Sequence, residues 1–361
     1  MEKTHDLLVV ANDETNWLER KNWVTREGLD LLEAVGTVKN FNPSAHANTD
    51  EKTHAFEGLL QQTDAVIFAP WGNQGLDLTP HGLNNAHRLK VISGTFDNRF
   101  SQWLDVADAK QRGITVIDTS RSMTPTVAEF ALAMMLNLLR DIPHEIDQVR
   151  QGKWQDGWYD IKGFVAGDLT GRRVGLAGFG SICRRLSELL QPFRCDVCTY
   201  DPFVSADTLA NYGVSRAESL VEMAAWSELF VVGIPPTPET LGIISKQVID
   251  AMPNGALFVL VTRMAVVEQE ALWQRTFAGE IRAAVDVFAP EPPPSDSPIR
   301  SNQYVIPTPH IAGNTVYCHQ RCFTTACQDA VAALTGEPLK YEASVWDSAM
   351  YSGKTEAHGT V

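Results

Sequence analysis

The sequence predicts an α/β chain of two parallel-sheet domains, and three observations carry that prediction. Short apolar runs recur between segments of helical character: residues 6–10, 66–68, 89–92 and 114–117, then the run opening at Arg173, followed by 195–200, 229–232, 256–260 and 283–287. Runs buried on both faces and separated by crossover helices make parallel sheets. A long apolar helix at 124–140 stands between the two series, and 361 residues are enough for two domains with their own cores.

Composition narrows the partners. Hydrophobic residues are 44% and charged residues 20%, an ordinary globular balance, and the formal charge of -14 opposes nucleic acid or an anionic membrane as the main partner. The six cysteines, at 183, 195, 198, 318, 322 and 327, lie in apolar patterns. Cys195 and Cys198 form a CxxC without a second pair, and Cys318 and Cys322 are one helical turn apart without a partner motif, so they read as buried thiols and no metal site is expected. The chain enters Asp6–Val10 without a basic region and apolar segment before it. No apolar run approaches roughly 18 residues, so a soluble, cytoplasmic protein is expected.

In order, residues 6–10 read as a buried strand and Trp17 to Val35 as helical. The runs at 66–68, 89–92 and 114–117 complete a small sheet in the first 120 residues. Ligands of such sheets lie beyond the carboxyl ends of the strands. The loops after Phe68 and Ile92 are therefore candidate walls of a site, with Trp71 to cover an apolar part of a ligand and Gly94 to offer amides to a carboxylate. At 124–140, Thr124 suits a cap, Pro125 the first helical position, and Pro143 stands just past the end. Its body is apolar on nearly every side, which fits a crossover between layers or a subunit contact, and a homodimer is expected. Residues 152–167 read as an irregular loop.

The stretch opening at Arg173 reads as a buried strand, and Gly178-Phe179-Gly180-Ser181-Ile182 as the glycine turn that leads it into a helix. Gly178 can take the tight turn, Gly180 lets backbone approach a pyrophosphate, and the amides of Gly180, Ser181 and Ile182 open a helix whose N-terminal field favours phosphate. Asp201, 23 positions after Gly178, ends the next strand, where a carboxylate would accept from adenosine ribose hydroxyls and repel a 2′-phosphate, favouring NAD over NADP. The fingerprint wants a third small residue where this chain has Cys183, which is expected to push the helix out slightly. The loop Pro235–Thr240 stands ready to line a nucleotide crevice.

Three polar residues follow the ends of the late strands: Arg263, Glu291 and His310. Residues at the ends of different strands converge on one edge of an α/β sheet. Histidine is the natural proton donor and acceptor near neutral pH, a carboxylate on its other nitrogen orients the ring, and arginine grips a carboxylate in a bidentate fork. With hydride supplied or taken by a cofactor, the trio meets the remaining needs for interconverting a hydroxyl and a carbonyl beside a carboxylate.

These residues, with Tyr200-Asp201-Pro202, Thr237-Pro238-Glu239-Thr240, Asp286-Val287-Phe288 and Thr308-Pro309-His310-Ile311-Ala312-Gly313, resemble the NAD-dependent D-isomer-specific 2-hydroxyacid dehydrogenases over roughly 88–313. The resemblance implies two Rossmann-like or flavodoxin-like parallel-sheet domains with the active site in the interdomain cleft. Residues 1–123 and 312–361 would form the substrate domain, and 124–311 the NAD-binding domain with the dimer contact. It implies Arg263 on the substrate carboxylate, His310 as general acid/base paired with Glu291, and Asp286 on the nicotinamide carboxamide. The implied cofactor-binding set is Gly178, Gly180, Ser181, Ile182, Asp201, Pro235, Thr240, Thr262, Asp286 and Gly313. The substrate-binding set is Trp71, Gly94, Thr95 and Arg263.

Two departures from the family pattern stand out. Met264 replaces the usual glycine after the arginine, and Ser93-Gly94-Thr95-Phe96-Asp97-Asn98 shifts the glycines of the substrate loop. With Trp71 they suggest a pocket reshaped around Phe96 and Met264 for a bulkier or partly apolar 2-keto acid. Two alternatives stay open: an NAD(H)-sensing regulatory protein on the same fold, and a dehydrogenase of a sugar-acid or phosphonate-type substrate.

Overall fold

The computed structural model describes residues 4–11, 23–46, 48–70, 76–96, 104–154 and 167–343. They form two compact units, one built from residues up to Met123 with those from Asn314 onward, the other from Thr124–Gly313.

The first unit is a five-stranded parallel sheet in the order β2-β1-β3-β4-β5, with β1 His5–Val10, β2 Gly36–Phe41, β3 Ala65–Phe68, β4 Val91–Gly94 and β5 Thr115–Asp118. All residues of β3 and β4 are buried, which is why these strands read as unbroken apolar runs. Edge strand β2 buries only its two ends, so its sequence carries no comparable signal. Helix α1, Arg26–Val35, begins where Thr25 Oγ1 accepts the Gly28 amide at 3.1 Å. Of the helical character expected from Trp17, residues 17–22 lie outside the described residues, and the helix begins only at Arg26, after Trp23, Val24 and the cap Thr25. Helix α2, Thr49–Leu60, capped by Asn48, buries only Phe56 and Leu60, too sparse a pattern to read from sequence. Helix α3 is Val106–Gln111.

The tail returns to this unit. A helix over Val316–Thr335, capped by Thr315 and ended by Gly336 in a left-handed conformation, packs on α1, β3 and β4. It buries Cys318, Cys322, Phe323 and Cys327 completely. Beyond it, the Asp118 amide donates to Tyr341 O and the Ala343 amide to Val116 O, so the chain closes over the β5 edge.

In the second unit, α4 (Thr124–Arg140) and α5 (Ile142–Arg150) precede a seven-stranded parallel sheet. Its strands are β6 Arg173–Ala177, β7 Asp196–Tyr200, β8 Ser215–Arg216, β9 Leu229–Val232, β10 Leu257–Leu260, β11 Arg282–Val285 and β12 Val305–Pro307, in the order β12-β11-β10-β9-β6-β7-β8. The order reverses beside β6, and such a switch point opens a crevice at the carboxyl ends of the strands. Helices α6 (Ser181–Leu190), α7 (Ala206–Tyr212), α8 (Leu220–Trp226), α9 (Lys246–Ala251) and α10 (Gln269–Phe277) make the crossovers. Short strands β8 and β12 were not foreseen; β8 is exposed and β12 contains a proline, so neither shows an apolar run.

The helical stretch Thr119–Arg140 is long and apolar enough to cross a membrane by length and composition. It is not an unbroken apolar run, being interrupted by Arg121, Glu129 and Asn137, and it gains its length because a 3-10 turn at Thr119–Met123 runs directly into α4. Helix α4 turns Val127, Ala128, Ala131, Met135, Leu138 and Leu139 inward against α6, β10 and β11. One charge is buried with it: Arg282, at the head of β11, donates to Leu138 O at 3.1 Å and to the Asp141 carboxylate. That ion pair pins the break between α4 and α5, where Asp141 takes a left-handed φ of 49°.

Candidate functional site

The cofactor turn is built by what the strands leave at their ends. Residues Val174–Ala177 are buried in β6, and the chain reverses at Gly178, whose φ of 86° a side chain would strain. The Gly178 amide donates to Tyr200 O at 3.0 Å and the Phe179 amide to Asp201 Oδ2 at 2.8 Å. Helix α6 then starts with Gly180 as its cap, and its first internal bond runs from the Arg184 amide to Gly180 O at 2.9 Å. The amides of Ser181, Ile182 and Cys183 precede that bond and have no acceptor within the helix. A Cβ on Gly180 would meet nothing within 4 Å, so this side of the helix start is open. The turn therefore fits a pyrophosphate: open space, amide donors and the positive end of a helix dipole.

Asp201 braces the same turn. Its Oδ1 accepts the Phe203 amide at 2.9 Å while Oδ2 holds Phe179. A carboxylate has about four acceptor positions, so capacity remains for ribose hydroxyls. The loop after β9 is tied internally: Thr240 Oγ1 accepts the Thr237 amide at 2.7 Å and donates to Pro235 O at 2.6 Å. Thr240 thus fixes the loop that presents Pro235. Thr262 Oγ1 lies 3.4 Å from Val232 O, joining the ends of β9 and β10.

Cys183 packs against a glycine on the strand side. Its side chain is fully buried against Gly233, the residue after β9, where an added Cβ would collide with Sγ. The room it needs is supplied from the strand side, by a residue without a side chain. Burial, helped by the negative charge of Asp201, pushes this thiol up to about 12, so it behaves as a small apolar filler.

His310 is held from three directions. Its Nδ1 lies 2.6 Å from Glu291 Oε1, both side chains being partly exposed. Its backbone is left-handed, φ 52°, and its amide donates to Asp286 O at 2.9 Å. The Asp286 carboxylate is buried and accepts from Thr308 Oγ1 at 2.6 Å, the Ile311 amide at 3.0 Å and the Ala312 amide at 2.8 Å. Sequence reasoning assigned Asp286 to the cofactor and missed this clamp. The signal available was a lone acidic residue ending an apolar strand, which must find donors when buried. Arg263 follows β10 as the cap of a 3-10 turn, half-buried, with Nη1 donating to Thr262 O at 2.8 Å. Gly313 ends the turn after His310.

The candidates of the first unit look different. Trp71 lies outside the described residues. Gly94 is buried at the end of β4, and a Cβ there would meet Phe96 Cε1 at 2.8 Å and Phe68 Cβ at 2.9 Å. Thr95 Oγ1 shares a hydrogen bond of 2.9 Å with Thr119 Oγ1. Phe96 is 1% exposed and Met264 3%, each packed in the core of its own unit. The expectation that these two side chains reshape a substrate pocket is therefore corrected: each fills a core beside its strand end.

Residues 132–312 match the family profile described as D-isomer specific 2-hydroxyacid dehydrogenase, NAD binding domain. The chain is 32% identical to D-3-phosphoglycerate dehydrogenase of Archaeoglobus fulgidus over 259 residues, 71% of this chain and 47% of that protein. It is 29% identical to the enzyme of that name from Methanocaldococcus jannaschii over 315 residues, 86% and 56% of the two chains. It spans about half the length of these curated relatives. Among solved structures, a 2-hydroxyacid dehydrogenase from Ketogulonicigenium vulgare Y25 superposes with a TM-score of 0.73 at 22% identity, covering 95% of this chain and 99% of that one. A phosphoglycerate oxidoreductase from Rhizobium etli gives 0.72 at 23%, covering 94% and 97%. At these identities the structural likeness shows the fold. The profile spans the turn at Gly178, the loop holding Arg263, and the His310–Glu291 pair, and on that match the chain belongs to the D-isomer-specific 2-hydroxyacid dehydrogenase family and carries its NAD-binding domain.

Proposed function

We propose that the protein reversibly interconverts a 2-hydroxy acid and a 2-keto acid, with residues 124–311 as the cofactor domain and 1–123 with 312–361 as the substrate domain. The observation that carries this reading is the His310–Glu291 contact of 2.6 Å on a loop held by Asp286, at the same sheet edge as the Gly178 turn. NAD, when bound, supplies or takes the hydride. The amides of Gly180, Ser181 and Ile182 would hold its pyrophosphate and Asp201 its ribose, with Pro235, Thr262, Asp286 and Gly313 along the strand ends.

In the reducing direction, Arg263 binds and orients the substrate carboxylate, with Gly94, Thr95 and Trp71 as the substrate-side candidates of the other domain. His310 delivers its proton to the alkoxide as the carbonyl is reduced. Glu291, on Nδ1, leaves Nε2 as the position from which that proton moves and gives the protonated ring a counter-charge. In oxidation His310 takes the hydroxyl proton.

We further propose a homodimer through α4 and α5. Ile142, Ile146 and Val149 expose 39%, 44% and 55% of their surface along α5, and Trp154 just beyond it exposes 81%. Such an apolar strip suits a protein contact. The charge of -14 disfavours nucleic acid and anionic membranes as partners.

The test is NADH oxidation across a panel of 2-keto acids of increasing size, with phosphorylated and sugar-acid members. Substrate-dependent oxidation that Arg263→Gln abolishes through a raised KM is expected. No turnover with any member, while NADH still binds, would instead favour a nucleotide sensor.

A further inference from the structure

The small residue that the nucleotide fingerprint requires on its helix has a counterpart here on the neighbouring strand end. The fingerprint's third glycine serves close packing of helix against sheet. In this chain that helix position is Cys183, and the packing space is opened by Gly233. We propose that Gly233 is a positioning residue for the cofactor, acting through Cys183 to set where the first turn of α6 lies; this rests on the reading of the Gly178 turn as the NAD site.

The geometry makes the pair unusually separable. A Cβ at 233 would collide with Cys183 Sγ, whereas its next neighbours, Ala177 O at 3.5 Å and Cys183 Cβ at 3.6 Å, are in ordinary contact. One sulfur atom is therefore the obstacle. Cys183 is 1% exposed, so its sulfur is enclosed by packed neighbours, and in this proposal the clash is relayed to the helix backbone. That backbone is the functional part: Cys183 is the third residue of α6, and its own amide stands with those of Ser181 and Ile182 ahead of the first internal bond. Displacing Cys183 shifts the donors that would face the pyrophosphate. It also bears on Asp201, which holds the Phe179 amide on the same turn. Pro235 lies two residues beyond Gly233, so both walls of the crevice meet at this contact.

The experiment is a double-mutant cycle on the full chain with Gly233→Ala, Cys183→Ala and the pair together. NADH dissociation constants come from fluorescence titration, and thermal unfolding is followed without nucleotide. Gly233→Ala should weaken NADH by about tenfold, the loss expected when one hydrogen bond to an anion is degraded. It should raise the KM for NADH while leaving that for the keto acid unchanged. Cys183→Ala alone sets the reference for the pair, and adding it to Gly233→Ala should bring NADH binding to the level of Cys183→Ala alone. If Gly233→Ala does not fold, recovery of folded, NADH-binding protein on adding Cys183→Ala supports the proposal, and failure to recover overturns it. NADH binding by Gly233→Ala equal to the parent's, or a double variant as weak as Gly233→Ala, overturns it. Coupling in unfolding temperature without coupling in NADH affinity also overturns the positioning role. A parent protein that does not bind NADH at all would instead refute the cofactor reading beneath it.

Discussion

At the carboxyl edge of the five-stranded sheet, the described residues just past β4 and β5 are drawn into packing and into bonds with one another. Phe96 folds back over Gly94, Thr119 Oγ1 donates to Gly94 O at 3.1 Å, and Asp118 Oδ1 accepts the Phe96 amide at 3.0 Å. At the same edge of the seven-stranded sheet, the positions past β6, β10 and β12 keep polar groups at the surface: the open side of Gly180, the half-buried Arg263, and His310 with its carboxylate partner. Among the described residues, the ends of β4 and β5 thus differ from those of β6, β10 and β12. The contrast teaches that a strand end becomes reactive only where buried partners hold a polar side chain outward, as Asp286 does for the His310 loop.

The sharpest way to break that contrast is to remove a holder on the second unit. Glu291→Gln keeps the size of the side chain but removes the charge beside His310, and turnover should fall roughly 100-fold. NADH affinity, measured by titration, should stay near that of the parent. Asp286→Asn comes next. It replaces a carboxylate that accepts three donors with an amide, and hydrogen bonds to charged groups are worth about 1.5–3 kcal/mol each. Denaturant unfolding should show a loss of that order, with turnover reduced at least about tenfold as the His310 loop relaxes.

The first unit should answer differently. Gly94→Ala presses a methyl group against Phe96 and Phe68, and overpacking of this kind costs about 1–3 kcal/mol. Stability should fall by that amount while NADH binding is unchanged; a large loss of NADH affinity would erase the distinction between the units. The smallest effect is a pH dependence. His319 is 1% exposed, with its ring 4.3 Å from that of Trp23, and burial lowers its pKa from 6.5 to about 4. Between those values the unfolded chain binds a proton that the folded one does not, so stability is full above about pH 6.5 and is lost as pH falls toward 4, by up to roughly 3 kcal/mol. His319→Leu should flatten that slope in thermal melts from pH 7 to pH 4.5.

The sequence reveals most where burial is two-sided. Strands β3, β6, β9 and β10 are apolar almost throughout and were readable as such, whereas β2, β8 and β12 are exposed or proline-containing and left no period to detect. Arg282 at the head of β11 gave no hint of its partner, because Asp141 is 141 residues away and meets it only through the packing of α4. For the site, residue type and strand-end position were enough to select Arg263, Glu291 and His310. Position alone failed for Phe96 and Met264: being next to a site residue in sequence does not fix which way a side chain turns, and a large apolar one turns toward the core when a gap is there to fill.

The central claim is that His310 moves the proton while the rest of the edge holds cofactor and acid. The direct measurement is single-turnover NADH oxidation by the parent and by His310→Gln with the keto acid that the panel selects, alongside NADH titration of both. The rate of His310→Gln should be lower by roughly 100- to 10,000-fold with NADH affinity preserved; an unchanged rate would contradict proton transfer by His310.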